Sequence, residues 1–302
     1  MYDNRPKPND TMSGVLVVDK PVGMTSHEVV QIIRRGTNIR RAGHTGTLDP
    51  RASGVLVILI GPAVRLSEYV SASDKRYQAV IRMGANTDTY DSDGQVTRTN
   101  PIDVTEEQFE TELKKFIGEI KQTPPPYSAI KMQGRPAYEM AREGEEVEMQ
   151  PRIINVYSLD VLEWAPPEVT VDVHCSSGTY VRSLAYDIGE KLGCGAMLAG
   201  LRRTKSGRFT LKDAVPLRKL IESFDSNSWY KYVIPAAEAL AEWSALTLNN
   251  EQVEAIRHGH RIPGEGKAGE MVRGITEQGE LVALLEFDET TKEFQPRKVF
   301  FT

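Results

Sequence analysis

One carboxylate in the sequence stands in a setting that suits chemistry. Asp49 follows a run of small and hydroxyl residues that begins after Arg41, and it precedes Pro50 and an apolar run over residues 54–60. Few charged residues surround it, and a rigid proline with a strand behind it can fix the direction of its side chain. A carboxylate nucleophile or base is usually presented in this way. The alternative is that residues 43–50 form an ordinary turn that Asp49 caps.

Composition limits the classes to which the chain can belong. It has 302 residues, enough for two domains, and its hydrophobic content of 40% and charged content of 26% are typical of a soluble globular protein. No apolar run approaches the roughly 20 residues that cross a bilayer, so no membrane partner is expected. The polar, proline-containing N-terminus does not match a secretory signal, and we expect residues 1–12 to form a disordered leader.

Metal-binding and cofactor-binding patterns do not occur in the sequence. The two cysteines, Cys175 and Cys194, form no Cys-x-x-Cys pair, and the five histidines show no metal-ligand spacing. The sequence also has no phosphate-binding loop and no plausible dinucleotide fingerprint. We therefore expect no metal and no cofactor, and we expect a reducing, cytoplasmic setting.

Charge is distributed unevenly along the chain. The formal net charge is −5, which by itself argues mildly against a polyanion as partner. However, ten basic and four acidic residues lie between Lys20 and Arg82, whereas the acidic excess lies within residues 103–168. Because phosphate binding depends on the local field, the sequence allows a basic face on an acidic molecule. Scattered, solvated charges are the alternative.

The hydrophobic pattern predicts interleaved helices and strands without regular βαβ alternation, which favours an α+β fold over a doubly wound one. A capping box that begins at Thr25 starts the first helix. Residues 128–152 have little core content, which indicates a mobile, projecting insertion. Beyond Ala245, glycine-punctuated short strands indicate a small β-rich C-terminal domain. Strands are predicted over residues 14–19, 54–60, 75–82, 153–164, 168–175 and 196–204, and helices over residues 26–35, 64–71, 105–117, 137–142, 181–192 and 250–257.

The run from Arg41 to Pro50 also resembles the catalytic motif of the TruB family of pseudouridine synthases, which modify uridine in the T-loop of tRNA. The resemblance implies a mixed, mostly antiparallel central sheet flanked by helices, followed by a small PUA-like domain. It covers nearly everything after Met12. It divides the chain into the leader (1–12), a catalytic domain (13–244) with a thumb-like insertion that closes on RNA (about 124–152), and a PUA-like RNA-binding domain (245–302).

The implied function is the isomerisation of uridine 55 to pseudouridine by base flipping, with Asp49 as the catalytic aspartate. The reaction breaks the N1–C1′ bond and joins C5 to C1′, so it needs a nucleophile or base, a grip on the loosened base, and proton transfer at carbon. An aspartate is ionised at neutral pH. It can attack the sugar, as in retaining glycosidases, attack the base, or assist elimination, and the sequence leaves these routes open.

Two further residues match catalytic positions of the family. Arg182, in the run from Gly178 to Arg182, is the candidate partner of Asp49, because a guanidinium orients a carboxylate and keeps it charged in a dry pocket. Tyr77 matches the active-site tyrosine, whose ring can stack on the extruded base and whose hydroxyl can shuttle a proton. The alternatives are a surface arginine near a helix start and a core tyrosine on an alternating strand.

Three positions near the N-terminus match residues that contact the substrate. Lys20 and Pro21 match one motif, in which the positive charge can meet an RNA phosphate or the active-site loop; the alternative is a strand-ending turn. His44 matches a residue that sits against the T-loop, where a planar ring can fill the gap that a flipped base leaves. A loop histidine bonded to the backbone is the alternative there.

Three positions in the second half of the chain also match substrate-binding residues. Tyr180 matches an active-site position, Leu201 matches a position that lines the base pocket, and Arg202 beside it can contact phosphate. One departure is Ser177, where many relatives carry a lysine.

The resemblance thus implies a stand-alone isomerase that binds the T-arm of tRNA, needs no guide RNA and is a monomer. Its rival is a non-catalytic RNA-binding or RNA-folding protein, which has no need for the acid, the arginine and both tyrosines in combination. A third reading is a nucleoside hydrolase that uses a carboxylate and releases free uracil.

Overall fold

The computed structural model describes residues 12–128, 130–132, 134–145 and 147–300. Apart from Met12, the expected disordered leader lies outside these residues. The chain forms two compact units: one comprises the residues up to Ala72 together with those from Ser206 onward, and the other comprises Ser73–Lys205.

Twenty strands and seven α-helices are present in the described residues. The strands are β1 (Gly14–Lys20), β2 (Ala42–His44), β3 (Ala52–Ile60), β4 (Lys75–Met83), β5 (Ala85–Thr87), β6 (Val96–Thr99), β7 (Gly118–Gln122), β8 (Lys131–Met132), β9 (Arg135–Pro136), β10 (Arg152–Ala165), β11 (Glu168–Cys175), β12 (Ala196–Ser206), β13 (Phe209–Thr210), β14 (Val215–Pro216), β15 (Ile234–Pro235), β16 (Ala245–Thr247), β17 (Ile262–Pro263), β18 (Met271–Ile275), β19 (Leu281–Asp288) and β20 (Glu293–Val299). The α-helices are α1 (Ser26–Thr37), α2 (Ser67–Ser71), α3 (Glu106–Lys114), α4 (Ala137–Arg142), α5 (Val181–Leu192), α6 (Leu217–Asp225) and α7 (Asn250–Arg257). Short 3-10 helices cover Gly61–Leu66, Trp229–Tyr232 and Ala236–Leu240.

In the first unit, β1 and β3 form an antiparallel pair over their whole shared length, with Gly14 opposite Ile60 and Lys20 opposite Gly54. Both strands are almost continuously apolar and buried, as expected for strands covered on both faces. The short strand β2 also pairs with β3 in antiparallel orientation. The segment that carries Asp49 is therefore the connection between two paired strands.

Helix α1 begins at the predicted capping box. The Thr25 hydroxyl accepts a hydrogen bond from Glu28 N (3.1 Å), and the Glu28 carboxylate accepts one from Thr25 N (2.7 Å). The predicted end near Arg35 is wrong, because α1 continues through Gly36 to Thr37. The Phe224 ring packs against the backbone of Gly36, and a Cβ at this position would lie 2.1 Å from the ring. This close packing explains why a glycine occupies a position inside the helix.

Two other local predictions are also corrected. Strand β2 lies in residues 36–48, where the sequence predicts neither a helix nor a strand. The predicted helix over residues 64–71 is a 3-10 helix over Gly61–Leu66 followed by the five-residue helix α2. Strand β2 has only three residues, which are too few to show the alternation that predicts a strand.

The C-terminal part of the first unit is a five-stranded sheet in the order β16-β18-β19-β20-β17, with α7 packed on it. This confirms the predicted β-rich C-terminal region. Besides its own core, the sheet contributes Leu284 and Phe300 to a hydrophobic cluster that also contains Val15, Val17 and Val57 of the N-terminal strands. The division at residue 245 into separate domains stays a prediction.

The second unit contains a sheet in the order β12-β4-β11-β10-β7. Strands β4 and β11 are antiparallel, with Tyr77 opposite Val173. The predicted alternation of β4 is confirmed, because Tyr77, Ala79 and Ile81 are buried whereas Arg76 and Arg82 are exposed. Helices α3 and α5 contact each other, and α5 contacts β4. The fold as a whole is the mixed α+β class that the sequence predicts.

The insertion contains the predicted helix α4 and, before it, a small hairpin of β8 and β9 that the sequence did not indicate. Gly134 in the hairpin turn has φ +88°, in the left-handed region that glycine tolerates best. Each of these strands has two residues, too few to show a period of two. The mobility of the insertion stays a prediction.

Candidate active site

The segment that carries Asp49 is fixed through its backbone on both sides. Asp49 O accepts a hydrogen bond from Ala52 N (3.0 Å), and Pro50 O accepts one from Gly23 N (2.7 Å). Thr45 N donates to Val57 O (3.1 Å), which ties the start of the segment to β3. Asp49 itself is exposed. The dry pocket expected around its carboxylate stays a prediction.

The Lys20 side chain binds the backbone of this segment and of the loop that follows β1. The side chain is completely buried, and Nζ donates to the backbone carbonyls of Met24 (2.6 Å), Pro21 (2.9 Å) and Pro50 (3.4 Å). Of its two suggested roles, contact with the active-site loop agrees with this geometry. Contact with an RNA phosphate does not, because the ammonium has no exposed surface.

Ser26 holds the residue that precedes Asp49. Its Oγ accepts a hydrogen bond from Leu48 N (2.8 Å) and donates one to Leu48 O (3.0 Å). Ser26 and Leu48 are both buried. This two-point contact fixes both backbone groups of Leu48, and with them the place from which the Asp49 side chain emerges.

The other two predicted residues of the first unit differ in exposure. Pro21 is exposed at the start of the loop that Lys20 binds. His44 is half-buried and is the last residue of β2, opposite Ile58, rather than a loop residue.

In the second unit, Arg182 lies in the first turn of α5 and is only 9% exposed. Its guanidinium Nη1 lies 3.3 Å from Asp91 Oδ2 and 3.4 Å from Thr89 O, and Nη2 donates to Tyr127 O (3.0 Å). The alternative of a surface arginine is therefore wrong. The predicted pairing of Arg182 with Asp49 stays a prediction, because the two residues belong to different units.

Asp91, which the sequence analysis did not single out, is itself held in place. Its Oδ1 accepts hydrogen bonds from the Thr89 hydroxyl (2.6 Å) and from Asp93 N (3.0 Å). The other carboxylate oxygen thereby faces Arg182. The only sequence signal is a polar, turn-forming stretch over residues 88–94, in which nothing distinguishes Asp91 from the other two aspartates.

Tyr180 immediately precedes α5 and occupies its N-cap position with an extended backbone. A buried amide, that of Gln122, binds both of its backbone groups: Tyr180 N donates to Oε1 (2.8 Å), and Nε2 donates to Tyr180 O (3.1 Å). Gln122 was likewise missed by sequence reasoning. A glutamine at the end of a strand gives no signal until its partner is known.

Tyr77 is 8% exposed on the inner face of β4, two residues from Lys75, which is also buried. Burial, and secondarily the nearby Arg203 charge, lower the pKa of the Lys75 ammonium to about 8, with Asp74 opposing the change. Arg203 on β12 is 2% exposed. Two buried basic side chains, Lys75 and Arg203, therefore lie close enough to interact electrostatically.

Leu201 and Arg202 are half-buried neighbours on β12. Because side chains alternate along a strand, Arg202 points away from the face that carries Arg203.

The described part of the chain holds no group of three His, Cys, Asp or Glu residues able to bind a metal ion. Within the same residues, no helix has both the length and the apolar character needed to cross a membrane.

Two family models match the chain. Residues 34–181 match the N-terminal domain of the TruB family pseudouridylate synthases, and residues 182–241 match the C-terminal domain of tRNA pseudouridylate synthase B. The second match begins at Arg182, so the pair spans both the Asp49 segment and α5.

Similar proteins cover almost the whole chain. The tRNA pseudouridine synthase B of Thiobacillus denitrificans is 40% identical over 291 residues, which are 96% of this chain and 97% of the relative. That of Pseudomonas syringae pv. syringae is 39% identical over 293 residues, 95% of each chain. Among solved structures, a chain of a Cbf5-Nop10-Gar1 complex has a TM-score of 0.77 at 30% identity, covering 99% of this chain and 88% of that one. The chain belongs to the TruB family and is a pseudouridine synthase, an isomerase.

Proposed function

We propose that this chain isomerises uridine 55 in the T-loop of tRNA to pseudouridine, by base flipping and with Asp49 as the catalytic carboxylate. Relatives that match nearly its whole length are named tRNA pseudouridine synthases, which supports tRNA as the substrate. The position within the T-loop is supported by the resemblance of the segment around Asp49 to the family's catalytic motif.

One observation carries the assignment of Asp49. Its segment is held by the buried Lys20 ammonium on one side and by the buried Ser26 hydroxyl on the other, yet Asp49 itself is exposed. A carboxylate with a fixed backbone and an exposed side chain is suited to meet a large substrate at a defined position.

The residues of the second unit supply the remaining functions that the reaction needs. The Tyr77 ring stacks on the extruded base, and Tyr180 contacts the same nucleotide. Arg182, held by Asp91, is a fixed cation that orients the Asp49 carboxylate in the enzyme–tRNA complex. Leu201 lines the base pocket and Arg202 contacts the RNA, as do His44 and Pro21 of the first unit.

The chemistry is an internal rearrangement in which atoms balance. The N1–C1′ bond breaks, the base turns, and C5 bonds to C1′. The proton at C5 leaves to solvent, and N1 gains a proton, so no cofactor is consumed. Asp49 assists either by adding to the sugar or the base or by removing a proton to start elimination.

We further propose that the enzyme acts as a cytoplasmic monomer without a guide RNA, and that residues 245–302 form a PUA-like domain that helps to hold the tRNA. The similar solved chain comes from a complex with the proteins Nop10 and Gar1. A single purified chain that modifies tRNA distinguishes the proposed mode of action from one that needs partners.

The decisive experiment incubates the purified chain alone with unmodified tRNA transcript labelled with tritium at uridine C5. Tritium release and mapping of the product should both report one pseudouridine, at position 55, and a transcript with cytidine at that position should release none. Asp49→Asn should abolish the product while the affinity for tRNA changes by less than about threefold, since the backbone contacts of the segment remain.

Other outcomes identify the rival functions. Binding of tRNA without any product would favour a non-catalytic RNA-binding protein. Release of free uracil would indicate a hydrolase. Appreciable turnover by Asp49→Asn would refute the role of the carboxylate, even if pseudouridine forms at position 55.

A further inference from the structure

The last residue of strand β7 and the first residues of the thumb-like insertion form one segment, residues 122–127, which we call the stem. It contacts the first turn of α5 in three places. Ser183 Oγ donates to Thr123 O (2.7 Å), Arg182 Nη2 donates to Tyr127 O (3.0 Å), and Gln122 binds Tyr180. The stem is therefore attached to three positions at the start of the helix, namely Tyr180, Arg182 and Ser183.

The Gln122 contact differs from the other two in the groups that take part. Here a side chain of the stem binds the backbone at the start of α5, whereas in the other two contacts side chains of α5 bind backbone carbonyls of the stem. The Gln122 amide accepts from Tyr180 N and donates to Tyr180 O, so it pairs with this residue as a neighbouring strand would. Gln122 is 2% exposed, so water cannot replace these bonds at low cost. The N-cap residue of α5 has no side-chain cap of its own.

The direction in which α5 begins decides where two candidate active-site side chains point. Tyr180 and Arg182 are two residues apart, on either side of the helix start, and the amide of Gln122 fixes the backbone of the first of them. Pro124 and Pro125 are buried in the stem, and proline restricts the backbone torsion angle φ. The stem is thus a stiff support rather than a flexible link.

We propose that Gln122 is a positioning residue for the reaction, which through the backbone of Tyr180 fixes the orientation of Tyr180 and Arg182 in the active site. The same amide joins the base of the insertion to these residues. This inference rests on the proposed function for its assignment of Tyr180 and Arg182.

Gln122→Glu provides a test that distinguishes positioning from general stability. A protonated carboxyl has one donor and one acceptor and reproduces the amide contact, whereas an ionised carboxylate cannot donate to Tyr180 O. Burial raises the pKa of a carboxyl, so the functional, protonated form should be populated at mildly acidic pH. The kcat of the variant divided by that of the wild type should therefore rise by about tenfold or more as the pH falls from about 8.5 to about 6.

Gln122→Met removes both hydrogen bonds at nearly constant volume. Its kcat for pseudouridine formation should fall by about 10- to 100-fold at all pH values, with KM for tRNA changed by less than about threefold. Glu119→Gln, an exposed position on the same strand β7, makes a charge change of the same size and should give a kcat ratio that does not vary with pH. Amide hydrogen exchange over residues 176–184 should be faster in Gln122→Met than in the wild type.

The results separate this inference from the proposed function. If the wild type forms no pseudouridine in tRNA, the proposed function fails. If the wild type is active but Gln122→Met retains its kcat, or if the Gln122→Glu ratio is flat with pH, the positioning role is overturned. A lowered kcat with unchanged hydrogen exchange would also overturn it. Should Gln122→Met not fold, the pH series on Gln122→Glu still decides.

Discussion

The guanidinium of Arg182 lies 3.3 Å from the carboxylate of Asp91, and both side chains are largely buried, with 10% and 19% of their surfaces exposed. Ninety-one positions separate the two residues in the sequence. A partly buried ion pair of this kind contributes little net stability, but removal of one partner leaves an uncompensated charge. We therefore expect its main value to be the direction it gives to Arg182.

The first prediction concerns Asp91→Asn. The amide can still accept from Thr89 and Asp93, but its NH2 group then faces the guanidinium, so Arg182 loses its orientation. The kcat for pseudouridine formation should fall by about 10- to 100-fold, with tRNA affinity changed by less than about threefold. Steady-state kinetics and a filter-binding assay measure the two quantities.

Asp93→Asn is the matched control for this change, since Asp93 is exposed and in the same turn. It should retain kcat within about twofold. Equal losses in both variants would mean that the turn, rather than the ion pair, is what matters.

A second prediction concerns Ser26→Ala. The change leaves both buried backbone groups of Leu48 without their hydroxyl partner, so the free energy of unfolding should fall by about 1–3 kcal/mol. Because Leu48 precedes Asp49, kcat should also fall, by roughly tenfold. Urea denaturation and the tritium-release assay measure the two effects. Ser67→Ala, at an exposed helix start, should change neither, and a full-activity Ser26→Ala protein would show that the contact is not needed for catalysis.

The third prediction concerns the attachment of the C-terminal sheet. Arg273 on β18 donates to the carbonyls of Ala237 (2.9 Å), Trp243 (3.0 Å) and Ala241 (3.3 Å). Arg273→Met should lower the free energy of unfolding by about 2–4 kcal/mol, because three part-buried carbonyls lose a charged donor.

Arg297→Met serves as its control, since exposed Arg297 forms a surface ion pair with Glu286. A surface pair contributes about 0–1 kcal/mol, so this variant should remain close to the wild type in urea denaturation. A similar, small effect of both substitutions would contradict the importance of the Arg273 contacts.

A fourth prediction concerns the pH dependence of stability. Burial raises the pKa of the Asp187 carboxyl from 3.8 to about 6, with Lys191 opposing this change and Glu190 adding to it. Because the folded state binds this proton more tightly, between pH 4 and 6 it holds more protons than the unfolded state. The destabilising effect of Asp187 should therefore grow as the pH rises through that window and stay constant above it.

Asp187→Asn should remove this effect. The variant should exceed the wild type in free energy of unfolding above pH 6, by at most about 3 kcal/mol and by less where solvent screens the charge, and the difference should shrink towards pH 4. Urea denaturation at several pH values measures it. Asp160→Asn, at an exposed position on β10, controls for the loss of one negative charge. A difference that does not vary with pH would contradict the assignment.

Local sequence patterns accounted for most of the secondary structure. The period of two in β4, the capping box of α1 and the glycine that ends α5 each depend on residues within a few positions of one another. Helix α6 was not predicted, although Leu217 and Leu220 form its buried face. The predicted end of α1 before Gly36 was wrong for a long-range reason. The glycine is required there because the Phe224 ring fills the space that a side chain at position 36 would need.

The sequence by itself determined the family and the identity of the candidate catalytic residues, because the motif around Asp49 is contiguous and its resemblance can be recognised without a structure. Only the tertiary structure decided that Lys20 binds the loop carrying Asp49, that Asp91 holds Arg182, and that Gln122 holds Tyr180. These contacts join segments that lie 30 to 91 positions apart. A hydrogen bond depends on distance and angle in space, and the spacing of residues along the chain carries no information about either once the separation exceeds a few turns.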